Sequence, residues 1–260
     1  MKGVVKMIIA GAVILGIGIA VLLLALGLNG WTFSPNFTTE EFTSTEENEA
    51  LNVQLAAGRL KIEYHDEDNI KITYPVAKGY ETTVTESDGT LSIEGNRHKW
   101  YVFSWGVTFP ETVIKIPAGK IKEISVSLNA GTVEIPDGDF TKVTLKLNAG
   151  TVNAGNISGA ELFNVELNAG TVNAEAVNGN KLVCHVNAGT ANLKKLDCAE
   201  TEVKVNAGTA NLNFTGAKSD YTATVNVSAG SCNGISTQTG GDRSLTVKVS
   251  AGSCNVSFAG

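Results

Sequence analysis

The sequence predicts an all-β fold: a single-stranded β-solenoid (β-helix) with about 20 residues per coil, preceded by one N-terminal transmembrane helix. This prediction depends on a tripeptide that recurs at a nearly constant interval, on apolar side chains that alternate with polar ones between its copies, and on a long uncharged segment near the N-terminus. We expect a right-handed coil, because parallel crossover connections are almost always right-handed.

The recurring tripeptide is Asn-Ala-Gly or Ser-Ala-Gly, and its seven copies are 19 to 22 residues apart. Its glycines are Gly131, Gly150, Gly170, Gly189, Gly208, Gly230 and Gly252. A period of this length is typical of stacked repeats, in which each unit buries its apolar face only against its neighbours. We therefore expect successive segments of the chain to stack directly on one another.

Apolar side chains lie mostly at every second position before each glycine, and again two and four positions after it. Such alternation predicts strands with one buried face and one exposed face. The two apolar sets are out of phase, so the chain must bend at Ala-Gly, where glycine tolerates unusual backbone angles. We expect Leu128, Leu147 and Leu167, each three positions before a glycine, to line up in adjacent layers.

Two columns of asparagine accompany the repeat. The first column is Asn129, Asn148, Asn168, Asn187 and Asn206, continued by Ser228 and Ser250. The second column is Asn153, Asn173, Asn192, Asn211, Asn233 and Asn255. Identical amides in stacked coils can form a ladder of hydrogen bonds, and we predict one for the first column. Asparagine is also a permissive turn residue, and for the second column both interpretations stay open.

The N-terminal segment from Met7 to Leu28 contains no charged side chain and is long enough to cross a bilayer as a helix. Lys2 and Lys6 precede it, so residues 1–6 are predicted to be cytoplasmic and the rest of the chain extracytoplasmic, in a single-pass protein of the cell membrane. A cleavable signal peptide is the competing interpretation. The apolar core of such peptides is only ~7–15 residues long, so we favour an uncleaved anchor over residues 7–28.

The rest of the chain divides into three predicted parts. Residues 29–50 form an acidic, weakly structured stalk, because glutamates there alternate with Thr and Ser and no basic residue occurs. Residues 51–120 form irregular opening coils and a cap, and residues 121–260 form the regular coils. We expect the last coil of the sequence to leave an exposed edge that can pair with another chain.

Few residues suggest chemistry. No nucleophile, zinc or phosphate-binding motif occurs, so we predict no catalytic, cofactor or metal residues. Without Lys2 and Lys6 the chain has 18 basic and 26 acidic residues, a net charge of −8 that argues against nucleic acid as a partner. Cys232 and Cys254 share one column, where we predict buried thiols, with a disulfide as the alternative.

One cluster combines aromatic and basic residues, and it contains Trp100, Tyr101 and Trp105. Two interpretations are open. The rings can pack over the open end of the solenoid as a cap, or they can form a patch that binds a sugar or lies at a membrane interface.

From about Leu51 onward the chain resembles the bacterial putative-adhesin family, a domain of unknown function. The resemblance lies in Leu55-Ala-Ala-Gly-Arg-Leu-Lys-Ile62, in Val113-Ile-Lys-Ile-Pro117 and in the Gly-Thr-Val or Gly-Thr-Ala corners. Many relatives have Asp directly after the corner glycine, where this chain has Thr or Ser. The resemblance implies a membrane-anchored external domain of β-strand repeats that functions in attachment or in the cell envelope, with no catalytic residues to transfer.

We therefore predict a membrane-anchored, extracytoplasmic and non-catalytic module for adhesion or cell-envelope interaction. Its partner would be a cell-wall polymer or a surface protein, because repeated side chains suit many weak contacts. Three alternatives remain: an envelope-stress or signalling accessory protein, a carbohydrate-active β-helix enzyme, and a scaffold that self-associates through the C-terminal coil.

Overall fold

The computed structural model describes residues 37–77, 80–97 and 111–260. In these ranges the chain is almost entirely β-strand, with a single 3₁₀ turn at Lys218–Asp220. No helix of the described ranges is long and apolar enough to cross a membrane. The predicted anchor, residues 7–28, lies outside them.

The strands of the described residues are β1 Thr38–Thr43, β2 Ala50–Leu55, β3 Gly58–His65, β4 Lys71–Val76, β5 Tyr80–Ser87, β6 Thr90–Arg97, β7 Glu111–Pro117, β8 Glu123–Leu128, β9 Gly131–Ile135, β10 Gly138–Asp139, β11 Lys142–Leu147, β12 Thr151–Leu167, β13 Thr171–Val186, β14 Thr190–Val205, β15 Thr209–Phe214, β16 Tyr221–Val227, β17 Ser231–Asn233, β18 Arg243–Val249 and β19 Ser253–Phe258.

The regular coils stack in parallel and in register, as the repeat predicts. Leu147 pairs with Leu128 on one side and with Leu167 on the other. The predicted alignment of these three leucines in adjacent layers is therefore confirmed. The all-β, solenoid-like fold is confirmed with it.

The interior of the stack is a single apolar core. The column five positions before the corner glycine is fully buried in all regular coils but the end coil, at Val126, Leu145, Val165, Cys184, Val203 and Val247, whereas Val225 of the end coil is partly buried. Each aliphatic side chain removed from water in this way contributes roughly 1.5–3 kcal/mol. Since every coil places such residues above and below its neighbours, no coil is stable alone.

The corner glycines are needed for two separate reasons. Gly131, Gly150, Gly170 and Gly189 have φ angles of 134°, 125°, 121° and 131°, which side chains disfavour. They also stack closely, since a Cβ on Gly170 would lie 2.2 Å from the carbonyl oxygen of Gly150. The bend that the out-of-phase apolar positions predict is thus confirmed at Ala-Gly.

The order of the last two coils in space differs from their order in the sequence. Strand β18 lies between β14 and β16, and β19 lies between β15 and β17. The last coil of the sequence, β18–β19, is therefore enclosed, and β16–β17 forms the end of the stack. The expectation that the last coil leaves an exposed edge is wrong.

Contacts outside the repeat favour this order. The Tyr221 ring packs against Phe214 and Phe258, with centroid separations of 4.9 and 5.4 Å. Arg243, at the start of β18, pairs with Asp197 of β14 at 2.5 Å. Tyr221 and Arg243 each occur in one coil only, so the periodic pattern contains no information about these contacts.

The opposite end is also built out of sequence order. The first coil, β2–β3, pairs with β8–β9 on one side and with β6–β7 on the other. Beyond them, β5 pairs antiparallel with β6, and β4 pairs antiparallel with β7. Strand β1 in turn pairs antiparallel with β4. The parallel stack thus ends in antiparallel strands at this side.

Strand β1 lies within the segment predicted to be a weakly structured stalk. It pairs with β4 over its whole length, Phe42 packs against the core, and Tyr74 donates a hydrogen bond to Glu40 at 3.2 Å. The stalk prediction is therefore wrong for Thr38–Thr43. The free edge of β4 supplies backbone partners that local composition does not reveal.

Replacing Gly170 by Ala tests the close stacking of the corners. Its Cβ would clash with the Gly150 carbonyl, so we expect a loss of several kcal/mol, well above the ~1–2 kcal/mol of the backbone angle alone. Gly159→Ala is the matched control, because its φ is 69° and nothing lies within 4 Å of its Cβ position. Thermal unfolding followed by circular dichroism measures both, and equal losses would contradict close stacking.

Candidate functional site

The aromatic residues proposed from the sequence as a cap or ligand patch are Trp100, Tyr101 and Trp105. All three lie outside the described residues. Both interpretations of this cluster therefore stay predictions. The site described below is a different one, on the outer surface of the regular coils.

The first asparagine column forms a continuous ladder of side-chain hydrogen bonds. Each Nδ2 donates to the Oδ1 of the preceding coil, at 2.5 to 2.7 Å, in the pairs 148–129, 168–148, 187–168 and 206–187. The Ser250 hydroxyl continues it at 3.5 Å from Asn206. The predicted ladder is confirmed. Each amide uses one donor and one acceptor in the ladder and keeps further hydrogen-bonding capacity for solvent or a ligand.

The second column forms a longer ladder, which runs through all six of its asparagines. Its bonds are 2.7 to 2.9 Å long, in the pairs 173–153, 192–173, 211–192, 255–211 and 233–255. It follows the spatial order of the coils and crosses from Asn211 to Asn255. These residues lie in strands, so the interpretation as turn residues is wrong for this column.

Two shallow grooves follow the two ladders. The groove along the first ladder measures about 300 Å³, and its other wall is an outward column four positions before each glycine, with Lys146, Glu166, His185 and Lys204. The groove along the second ladder measures about 490 Å³ and includes Glu175 and Lys194. Both are long, polar and open, which suits an extended ligand better than a small enclosed one.

Most lysines in the outward columns pair with a glutamate of an adjacent coil. Lys146 pairs with Glu166 at 3.3 Å, Lys181 with Glu200 at 2.7 Å, and Lys194 with Glu175 at 2.9 Å. These pairs are about half exposed, so each is worth at most about 1 kcal/mol. Their main effect is to remove net charge from this part of the surface.

The first groove becomes basic toward the end of the stack. Lys204 pairs in register with Lys248 of the enclosed coil, and both side chains are exposed. Among the described residues, neither has an acidic group within 4.0 Å. His185 lies one coil before Lys204, with its Nε2 3.9 Å from a Glu202 oxygen. An otherwise acidic chain thus places two neighbouring lysines beside the amide ladder.

The cysteines do not supply a reactive centre. All four described thiols are free, with Cys184, Cys198 and Cys254 buried and Cys232 half-buried. Burial raises the pKa of Cys184 to about 12 and that of Cys198 to about 11, so both are protonated thiols at neutral pH. Cys232 and Cys254 lie side by side without a disulfide. Both are thus thiols, but the predicted burial holds for Cys254 only.

The Asp137 carboxylate has a structural role. Asp137 accepts hydrogen bonds from the backbone and side-chain amides of Asn156, at 2.8 and 2.7 Å, and these bonds lower the pKa of Asp137. A general acid requires a raised pKa instead. Within the described ranges, no group of three metal-ligating side chains could hold a metal ion.

Sequence reasoning found both ladders as columns but missed the basic pair. Lys204 and Lys248 lie two corners apart in the sequence, with the Ser228-Ala-Gly corner between them. In sequence order their column contains Ser, Lys, Glu, His, Lys, Asn and Lys, a mixture that does not indicate a basic pair. Only the insertion of β18 next to β14 makes the two lysines neighbours.

The sequence matches the protein family described as Toastrack DUF4097 over residues 48–259. A putative adhesin from Bacteroides fragilis has a similar crystal structure, with 14% identity, a TM-score of 0.55, and coverage of 86% of this chain and 99% of that one. For a putative adhesin from Parabacteroides merdae the identity is 14%, the TM-score 0.48, and the coverage 86% and 98%. No curated protein matches. At 14% identity, the similarity to the Bacteroides fragilis structure shows the fold alone.

Replacing Asn168 by Ala tests whether the first ladder stabilises the stack. The change removes the hydrogen bonds to Asn148 and Asn187, so we expect the free energy of unfolding to fall by about 1–3 kcal/mol. Asn164→Ala is the control, because that side chain makes only a 3.3 Å bond to Glu166 on its own strand. Denaturant titration measures both variants, and a loss no greater than that of the control would contradict a stabilising ladder.

Proposed function

The chain belongs to the Toastrack DUF4097 family, and on this basis we propose that it is a non-enzymatic surface-interaction module that binds an anionic linear polymer along its first groove. Membership of this family confirms the resemblance to the bacterial putative-adhesin family that its motifs indicate. The crystal structure with the same fold belongs to a protein called a putative adhesin, and adhesion requires an exposed surface that contacts its partner repeatedly.

The observation that carries the proposal is the combination of an amide ladder with two unneutralised lysines, Lys204 in the groove and Lys248 beside it in the next coil. Asn148, Asn168, Asn187 and Asn206 offer an amide at every coil, and neighbouring coils are ~4.8 Å apart. Lys204 and Lys248 add positive charge at one end. A polymer with hydroxyl groups and regularly spaced phosphates or carboxylates matches both features.

Binding of this kind would depend on repetition. Each exposed lysine or amide contributes little alone, about 1 kcal/mol or less for a solvated charge pair. Successive units of a polymer, however, bind at a high effective concentration once the first unit is held. The straight, in-register groove lets several units bind without distortion of the chain.

We further propose that residues 7–28 anchor the protein in the cell membrane, with the solenoid outside the cell. The uncharged length of the segment and the lysines before it support this arrangement. A cell-wall polymer would then be within reach of the groove. An adhesive role toward a surface protein is compatible with the same location but does not use the basic pair.

Binding of the full-length chain to immobilised polymers tests the proposal. Poly(glycerol phosphate) and polygalacturonate present phosphate and carboxylate, and dextran is the neutral comparison. We expect the double change Lys204→Gln and Lys248→Gln to weaken polyanion binding about tenfold, because two charge contacts are lost. Added salt should weaken binding of the unchanged protein.

The matched control replaces Lys181 and Lys194 by Gln, which changes the net charge equally at lysines that are already paired. Its polymer affinity should stay close to that of the unchanged protein. Equal losses in both double variants would mean that only net charge matters, and would contradict the groove. Absence of polyanion binding, or equal binding of dextran, would contradict the proposed ligand class.

A further inference from the structure

The coil at the far end of the stack has a neighbour on one side only. Strand β16 pairs with β18, and β17 pairs with β19. The opposite edge of β16 and β17 ends the parallel array. An unpaired strand edge readily pairs with another chain, so natural proteins usually cover or charge it.

Half of this edge is covered by the chain itself. Ala223 exchanges two backbone hydrogen bonds with Gln238, at 2.8 and 2.9 Å, and the Thr237 hydroxyl binds the N–H and the C=O of Val225, at 3.0 and 3.4 Å. Odd-numbered residues of β16 therefore direct their backbone groups away from β18. By the same alternation the N–H and C=O of Val227 point outward, beyond the reach of this cover.

The other half, Val227–Asn233, is open. Val227 is 41% exposed, and it is one of only two large apolar side chains that are exposed in the described residues. Ser231 donates its N–H to Gly252 of the enclosed coil, so the backbone of the next residue, Cys232, also points outward. No charged residue occurs between Tyr221 and Gly241, although charges are the usual protection of an edge.

The open segment already pairs with its own sequence inside the chain. Residues 227–233 read Val-Ser-Ala-Gly-Ser-Cys-Asn, and residues 249–255 read the same. The two copies stack in register, with Val227 on Val249 and Cys232 on Cys254. The heptapeptide can therefore stack on its own sequence, here in the parallel direction, and its other edge carries no charge that would repel an identical edge.

From this pairing we infer that the open edge, Val227–Asn233, binds the same edge of a second copy of this chain. The second copy cannot offer residues 249–255, because they are covered on both sides. At the other end of the stack, antiparallel strands are added, and β1 carries Glu40 and Glu41. Because the same edge of two identical chains is in contact, the two edges meet antiparallel across a two-fold axis.

This arrangement gives a closed dimer and no fibre, because the two-fold contact occupies the open edge Val227–Asn233 of both copies. The edge is short, so the buried surface falls at the small end of protein interfaces and the dimer should be weak and reversible. The dimer is independent of polymer binding, because the first groove lies on the outward face of the coils and not at their end.

Sedimentation velocity of the full-length chain in a non-ionic detergent, over a series of concentrations, tests the inference. We expect a reversible monomer–dimer equilibrium. Val227→Lys should raise the dissociation constant at least about fivefold, because a charged side chain on an open strand edge opposes its pairing with another chain. Ser250→Lys is the matched control, because that exposed residue lies in the enclosed coil, and it should leave the equilibrium unchanged.

Each other outcome would overturn the inference. A monomer at all concentrations would exclude the pairing, and species that grow beyond the dimer would exclude the two-fold closure. Dimers that withstand Val227→Lys, including any formed through residues 7–28, would place the contact elsewhere. Hydrogen exchange gives a second readout, since the amides of Val227 and Cys232 should become protected as the concentration rises and those of Ala223 and Val225 should not change.

Discussion

The contact between successive corner glycines is the constraint on which the rest of this structure depends. Each of these glycines lies so close to the backbone of the next coil that a methyl group would overlap a carbonyl oxygen. The contact sets the bend, holds neighbouring coils at strand spacing, and brings the same position of every coil into one column. Register, core and surface all follow from this alignment.

In-register stacking places the same position of neighbouring coils side by side, and this has opposite consequences for different residue types. A column of asparagines is stabilised, because each amide can donate a hydrogen bond to one neighbour and accept one from the other. A column of lysines would be destabilised by repulsion between like charges. Glu next to Lys avoids this repulsion, as at Lys146 and Glu166. The adjacent Lys204 and Lys248 depart from that rule. Because this pair breaks the alternation of charges and gains nothing for the fold, a binding role is the natural explanation for it.

The two ends of a stacked sheet pose a separate problem, because backbone groups there lack partners. At one end the antiparallel strands β4, β5 and β1 cover the array. At the other end the chain moves outward to β16–β17, returns to insert β18–β19, and uses Gln238 and Thr237 to satisfy part of the edge. The part of this end that is left open is short and uncharged, and these properties permit pairing with the same edge of an identical chain.

The sequence by itself determined the period, the inward face of each strand, the bend at Ala-Gly and the first ladder, because these follow from local spacing repeated many times. The aromatic cluster at Trp100 and the anchor lie outside the described residues and were not tested. Only the tertiary structure decided the order of the coils, the strand at Thr38–Thr43 and the adjacency of Lys204 and Lys248. The identical heptapeptides permit either order of the last coils, and single contacts outside the repeat, such as Tyr221 with Phe214 and Arg243 with Asp197, select one.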